Sequence, residues 1–305
     1  MRKIGLLLVI IFIGYSGFAA EYRSAGLAFL RVHPGTRITA LGGAGTALQP
    51  GHADFSPSLN LLNPASRADS LSTTAQLAHS FWFADAGIEY LGLTFPAGEF
   101  HWGLFVTSAN IGGFELRENR ATDEPLGEFG AHYLHAGVSG NVMLRPSLSV
   151  GLRAAILYEK LYYHQAVGGS FSAGIQYRFS PRLSTGFALN HLGGMSKLRE
   201  ESTPLPSSVR IGAAFEQTII PEQIDVVLLA DAGYYFNDHS FAGGGLEVWL
   251  WDFIAARIGV NQSPDQLKTS FGAGIRWRQL RVDYGIWMDE HQLGTPHQFS
   301  VSLGL

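Results

Sequence analysis

The chain contains no cysteine. That excludes disulfides, thiolate metal sites, cysteine nucleophiles and a lipid-modified N-terminal cysteine. Charge is scarce too. Asp, Glu, Lys and Arg make up 15% of the 305 residues, against about 25% in ordinary soluble proteins. The formal net charge of -4 offers no basic surface, so nucleic acid is not expected as a partner. Beyond the first twenty residues no apolar run approaches the roughly 18–20 residues that a spanning helix needs. If the chain crosses a membrane, it must do so as a closed barrel. A Gly-x-Ser-x-Gly nucleophile elbow is also missing, and no residue is singled out as catalytic. His132 and His135, three apart on a strand, face opposite sides and cannot share a metal without distortion. Neither a metal nor a cofactor is expected.

What is present begins with an export signal. Arg2 and Lys3 precede the apolar run Ile4 to Ile13, and Gly17-Phe18-Ala19 fits a small-x-small cleavage site. The expected division is 1–19 signal peptide, 20–67 N-terminal plug or periplasmic segment, and 68–305 barrel.

From Ser70 onward the chain alternates apolar and polar residues in fourteen short segments. The last three are the clearest. Phe271, Ala273, Ile275 and Trp277 alternate with Ser270, Gly272, Gly274 and Arg276. Leu280 to Met288 continues the pattern, though Trp287 breaks its polar side. Phe299, Val301, Leu303 and Leu305 then alternate with Gln298, Ser300, Ser302 and Gly304. An apolar last residue suits the closing strand of an outer-membrane barrel.

Connections after even-numbered segments are tight, such as Ser180-Pro181 and Arg278-Gln279, apart from a moderate one after the eighth, Thr218 to Gln223. The longest, Ile111 to Gly127 and Leu192 to Pro206, follow odd-numbered ones. Short periplasmic turns and longer extracellular loops sort in this way. The expected fold is therefore all-β: a single transmembrane antiparallel β-barrel of about fourteen strands with an N-terminal plug. Its expected place is the outer membrane of a Gram-negative-type bacterium, in contact with outer-membrane lipid.

Charged residues that alternate with apolar neighbours must face the lumen, because Arg or Lys facing lipid at mid-bilayer costs about 2–4 kcal/mol. They include Arg153, Arg178, Arg210, Asp231, Arg257, Arg276 and Asp283. Leu157, Val227 and Leu229 break the pattern on that face and permit an apolar lumen pocket. Phe81-Trp82-Phe83 at a strand end is either part of an interfacial girdle or an exposed contact site.

The stretch before the barrel carries Gly26-Leu27-Ala28-Phe29-Leu30, Gly35-Thr36-Arg37, Ala40-Leu41-Gly42-Gly43-Ala44 and Leu62-Asn63-Pro64-Ala65. Farther on come Pro204-Leu205-Pro206 and Val209-Arg210-Ile211-Gly212. Their order resembles the PorV/PorQ family across essentially the whole mature chain. Gln49 to Asp54 stands where that family has an acidic pair. The resemblance implies a fourteen-stranded barrel of FadL-like architecture. Gly42, Gly43, Asn63 and Pro64 would then be its plug and turn motif. It also implies a non-enzymatic scaffold or shuttle in type IX-like secretion. The partners would be exported proteins with a C-terminal sorting domain and other subunits of the secretion machinery. The alternative expectation is a FadL-like channel for hydrophobic small molecules, with an apolar lumen pocket and an opening in the side wall.

Overall fold

In the computed structural model, residues 26–49, 56–66, 72–83, 86–117, 124–236, 238–264, 266–289 and 294–305 are described. The expected signal peptide, 1–19, lies outside them. Fourteen strands follow one another: β1 Thr74–Phe81, β2 Gly87–Ala97, β3 Phe100–Leu116, β4 Gly127–Arg145, β5 Leu148–Leu161, β6 His164–Ser180 and β7 Leu183–Met195. The rest are β8 Ser208–Ile220, β9 Ile224–Tyr235, β10 Ser240–Leu250, β11 Ile254–Ser263, β12 Gln266–Trp277, β13 Leu280–Asp289 and β14 His297–Gly304. Each pairs antiparallel with its neighbour in sequence, and β1 pairs with β14 from Thr74↔Gly304 to Phe81↔His297. The sheet is a closed barrel. Ahead of it lie a 3-10 turn, Ala28–Arg31, and two short helices, α1 Thr36–Ala40 and α2 Leu59–Leu62.

Period-two alternation assigns the faces. Leu91, Leu104, Val138, Leu152, Ile156, Ile175, Ile211 and Ile258 stand exposed on the outside. Ser139, Arg153, Gln176 and Arg257, next to four of these, are buried on the inside, as are Asp231 and Asp283. An apolar exterior around a polar interior is the inverse of a soluble barrel and suits a lipid surround. Connections after even-numbered strands are at most three residues, while those at the opposite end include 117–126 and 196–207.

Several strands are longer than the alternation predicts. Strand β3 runs on to Leu116, but its in–out pattern ends at Asn110, and beyond that most side chains are exposed. Such an extension is held by backbone pairing without a buried face, so no periodicity marks it. Strand β6 likewise starts early, at His164, leaving only the two-residue turn Tyr162-Tyr163 after β5.

If the outer face meets lipid, Ile156→Lys, 66% exposed at mid-strand in β5, will lower stability by about 2–4 kcal/mol. Ile156→Leu will be near neutral. Reversible denaturant unfolding in lipid vesicles measures both, and equal stability of the two variants would contradict the assignment.

Candidate ligand vestibule in the lumen

The described N-terminal residues run along the polar inner sides of the strands. Gln298 on β14 donates to the Pro34 carbonyl at 2.7 Å. Ser270 on β12 donates to the Ala40 carbonyl and accepts from the Gly42 N–H, both at 3.1 Å. Asp231 on β9 takes the Gly45 N–H, the Thr46 N–H and the Thr46 hydroxyl on a single oxygen, Oδ2. Ser184 on β7 donates to Ala47, Gln176 on β6 to Thr46 and Leu48, and Arg153 on β5 to Asn60. Asn141 on β4 donates to Ser66, and Gln76 on β1 accepts from the Ser58 N–H. Buried polar groups require partners, and these bonds supply them between wall and segment.

Glycine sets the distance. Gly42 has φ 68°, and its backbone lies against the carbonyls of Val260 and Gly244. On the facing wall, a Cβ at Gly259 would collide with the Leu41–Gly42 backbone. Only a residue without a side chain tolerates both demands.

A chain of buried ions fixes α1 to the wall. Arg37 forks onto Glu247, with Nη2 at 2.6 Å from Oε1 and Nε at 3.0 Å from Oε2. Arg257 Nε shares the same carboxylate, and its Nη1 reaches Asp283 Oδ1 at 2.8 Å. Arg281 Nε completes the chain to Asp283 Oδ2 at 2.7 Å. Removing one member of such a set strands another charge and costs about 3–5 kcal/mol.

Two cavities lie at opposite ends of the barrel. The one toward the short turns, about 390 Å³, is lined by Arg37, Gln49, Arg182, Asp225, Trp249 and Asp252. The other is a vestibule of about 330 Å³ toward the long connections. Its floor is Val32, His33, Thr39, Gly42 and Gly43, and its walls include Arg31, Arg210, Tyr235, Phe241, Asn261, Trp82 and Trp287. His33 Nε2 donates to the Ser58 carbonyl at 3.0 Å, and its Nδ1 accepts the Gly35 N–H at 2.9 Å. Burial first, then the nearby Arg210 charge, lower its pKa from 6.5 to about 4, so it stays neutral in ordinary media. Asp238, in the β9–β10 connection, faces Arg31 at 2.6 Å and His239 at 2.8 Å. Burial alone would raise its pKa, but these two partners outweigh it and lower it.

The residues singled out from the sequence take these places. Arg153 donates to Asn60, Ser172 and Asn190. Arg178 donates to Gln49, and Arg210 to Gly43 and Asp231. Arg257 and Asp283 belong to the ion chain, while Arg276 pairs with Asp252 at the short-turn end. Asn63 Nδ2 donates to the Thr46 carbonyl, and its Oδ1 accepts the Ala65 N–H across Pro64. The Phe81-Trp82-Phe83 stretch divides. Phe81 is exposed, whereas Trp82 turns to the vestibule, 5.0 Å from Trp287 between ring centroids.

Two expectations need correction. Val227 and Leu229 pack against Ile38, Leu41, Leu48 and Leu62 of the segment, and Val227 also borders the polar cavity at the short-turn end, so neither marks an apolar ligand pocket. Leu157 packs against Leu27 and Phe29. Nor is there a side opening among the described residues: every strand pairs with both neighbours, interrupted only by local register shifts. Sequence reasoning missed Arg31, Tyr235 and Phe241 as site residues because they converge only in the fold. Trp287 alone left a trace, as the break in its strand's polar side.

No protein-family model and no curated sequence matches the chain. Solved structures do. The CymD monoaromatic hydrocarbon channel aligns with TM-score 0.62 and 14% identity, covering 90% of this chain and 97% of that one. The Pseudomonas putida toluene transporter TodX aligns at 0.61 and 12%, covering 88% and 96%. A Pseudomonas aeruginosa FadL homologue aligns at 0.57 and 12%, covering 88% and 97%. At these identities the likeness is one of fold: the chain shares the closed antiparallel barrel of these proteins.

The pattern of bonds predicts two outcomes. Asp231→Ala removes the acceptor of three segment donors and will expose the bond after Arg37 to trypsin, with barrel circular dichroism unchanged. Continued protection would show that Asp231 does not hold the segment. His33 has a docked pKa below its free value, so protonation favours release. Docking will therefore be at full strength above pH 6.5 and weaken as pH falls toward about 4. His33→Asn will flatten that dependence in the same proteolysis assay.

Proposed function

We propose that this protein is an outer-membrane channel for small hydrophobic molecules, with the N-terminal segment as its plug. The observation that carries the reading is the combination of a FadL-type barrel with an aromatic-walled vestibule at its long-connection end. The proteins that share the fold are described as channels for monoaromatic hydrocarbons and toluene. Polar segment–wall bonds close the direct route down the lumen, which favours an exit through the side.

One sector of wall suits such an exit. On its outside, Leu91, Leu104, Val106, Val138 and Ile156 surround an apolar hollow of about 770 Å³. On its inside, directly behind, Ala78, Tyr90, Phe105 and Ala155 form an apolar cluster joined by Leu61 of α2. The hollow's lining also includes the small residues Ala136, Gly137 and Ala154. The sector is paired in this structure, so passage there requires the strands to part.

The scaffold reading rests on the order of sequence motifs that resemble PorV/PorQ. No geometric feature adds to it, and it takes second place. Both readings are non-enzymatic.

The test is entry of a labelled monoaromatic hydrocarbon into host cells with an intact outer membrane. Loss of the gene will slow hydrocarbon entry several-fold and leave entry of a small sugar unchanged. Unchanged hydrocarbon entry, together with recovery of exported proteins that share a C-terminal domain on the purified barrel, would replace the channel by the scaffold.

A further inference from the structure

The vestibule does not end at its floor. Arg31, Val32, His33, Leu62, Arg210 and Tyr235 border both it and a smaller cavity of about 50 Å³. The smaller cavity reaches the wall at Thr107 and His135, which are register partners on β3 and β4. A cavity of about 150 Å³ holds a benzene ring. The vestibule, at about 330 Å³, has that room, and the smaller cavity does not. A ring passing from one to the other must displace a side chain.

The next inward-facing row of the wall runs Gly92, Phe105, Gly137 and Ala155, each the register partner of the one before. All four also line the apolar hollow on the outside, so this row is the hollow's floor. It holds one large side chain. Glycines stand on both sides of Phe105, and across Gly137 there is only the Ala155 methyl. The Phe105 ring clusters with Ala78, Tyr90 and Ala155 and lies 4.8 Å from the His135 ring between centroids. Leu61 of α2 packs on the same cluster and lines the small cavity as well. Phe105 and Leu61 therefore stand between the last inner cavity and the outer hollow.

Leu61 is held from both sides along the chain. Arg153 Nη1 donates to the Asn60 carbonyl at 2.7 Å, and Asn190 Nδ2 donates to the Leu62 carbonyl at 2.9 Å. The wall itself has less to hold it. Cross-strand side-chain pairs stabilise a sheet, and between β4 and β5 these pairs are Gly137↔Ala155 and Val138↔Ala154. Sheets open locally where few such contacts hold them.

We infer that Phe105 is the gate of the side exit and Leu61 its backstop. Packed on Leu61, the ring closes the wall. When both turn aside, β4 and β5 part at Gly137 and a guest ring passes from the small cavity to the lipid. This deepens the channel reading and rests on it.

The experiment measures entry of labelled toluene, and of the two-ring hydrocarbon naphthalene, into host cells with an intact outer membrane. Each variant replaces the wild type at a matched amount of folded barrel. Phe105→Trp will slow toluene entry about fivefold, and Phe105→Ala will speed naphthalene entry by about the same factor. Leu61→Ala will act like Phe105→Ala, more weakly. The chain has no cysteine, so an introduced pair can lock the strands. Val138→Cys with Ala154→Cys joins register partners on the outer face of β4 and β5. Oxidation of that pair will cut toluene entry to the level of cells lacking the gene, and reduction will restore it. The same lock between β10 and β11, Val248→Cys with Ala256→Cys, will leave entry unchanged. If the Phe105 variants do not fold, the two locks decide. Toluene entry that depends on the gene but is indifferent to Phe105→Trp or to the β4–β5 lock would overturn the gate and leave the channel standing. Toluene entry that does not depend on the gene would remove the channel, and the gate with it.

Discussion

A closed barrel with an apolar exterior turns its polar side chains inward, and each of them must find a partner there. That constraint shapes the rest of the molecule. Asp231, Gln176, Arg153 and Glu247 on four different strands all end on one peptide, the N-terminal segment. The segment is therefore held less like a globular core than like a backbone bound in a groove. Its carbonyls and N–H groups meet wall side chains, and glycines on both sides allow the approach. Apolar packing is confined to patches, chiefly Ile38, Leu41 and Leu62 on Val227 and Leu229.

This construction separates two functions. Backbone pairing around the closed sheet, unbroken from β1 to β14, gives stability in a medium that forbids free edges. Side-chain bonds across the lumen position the segment and with it the vestibule floor. The second set depends on few residues and is open to change by mutation or acid, while the first is not.

Much of the fold was legible in the sequence because alternation is a direct record of two unlike media. The fourteen strands, the closing strand from His297 and the sorting of connections all follow from it. The ends of β3 and β6 were not legible, since strands beyond the apolar band have no face to bury. The lumen was harder. A charge that alternates with apolar neighbours can be assigned to the inside, but its partner cannot. Nothing in the sequence joins Arg37 to Glu247, 210 residues away. Leu157, Val227 and Leu229 were visible as apolar breaks, yet the same break serves a ligand or a plug, and here it serves the segment. The vestibule was the least legible, because the Arg31–Tyr235–Phe241–Arg210 stack draws on the segment and three strands or their ends.

We propose that the described N-terminal residues, 26–49 and 56–66, fill the lumen closely enough to stop water-filled flow. Conductance in a planar bilayer tests it most directly, comparing the intact barrel with one lacking those residues. The account predicts little steady ion current through the intact protein and a large, ohmic current through the deleted form. An intact barrel that conducts as freely as the deletion would contradict it.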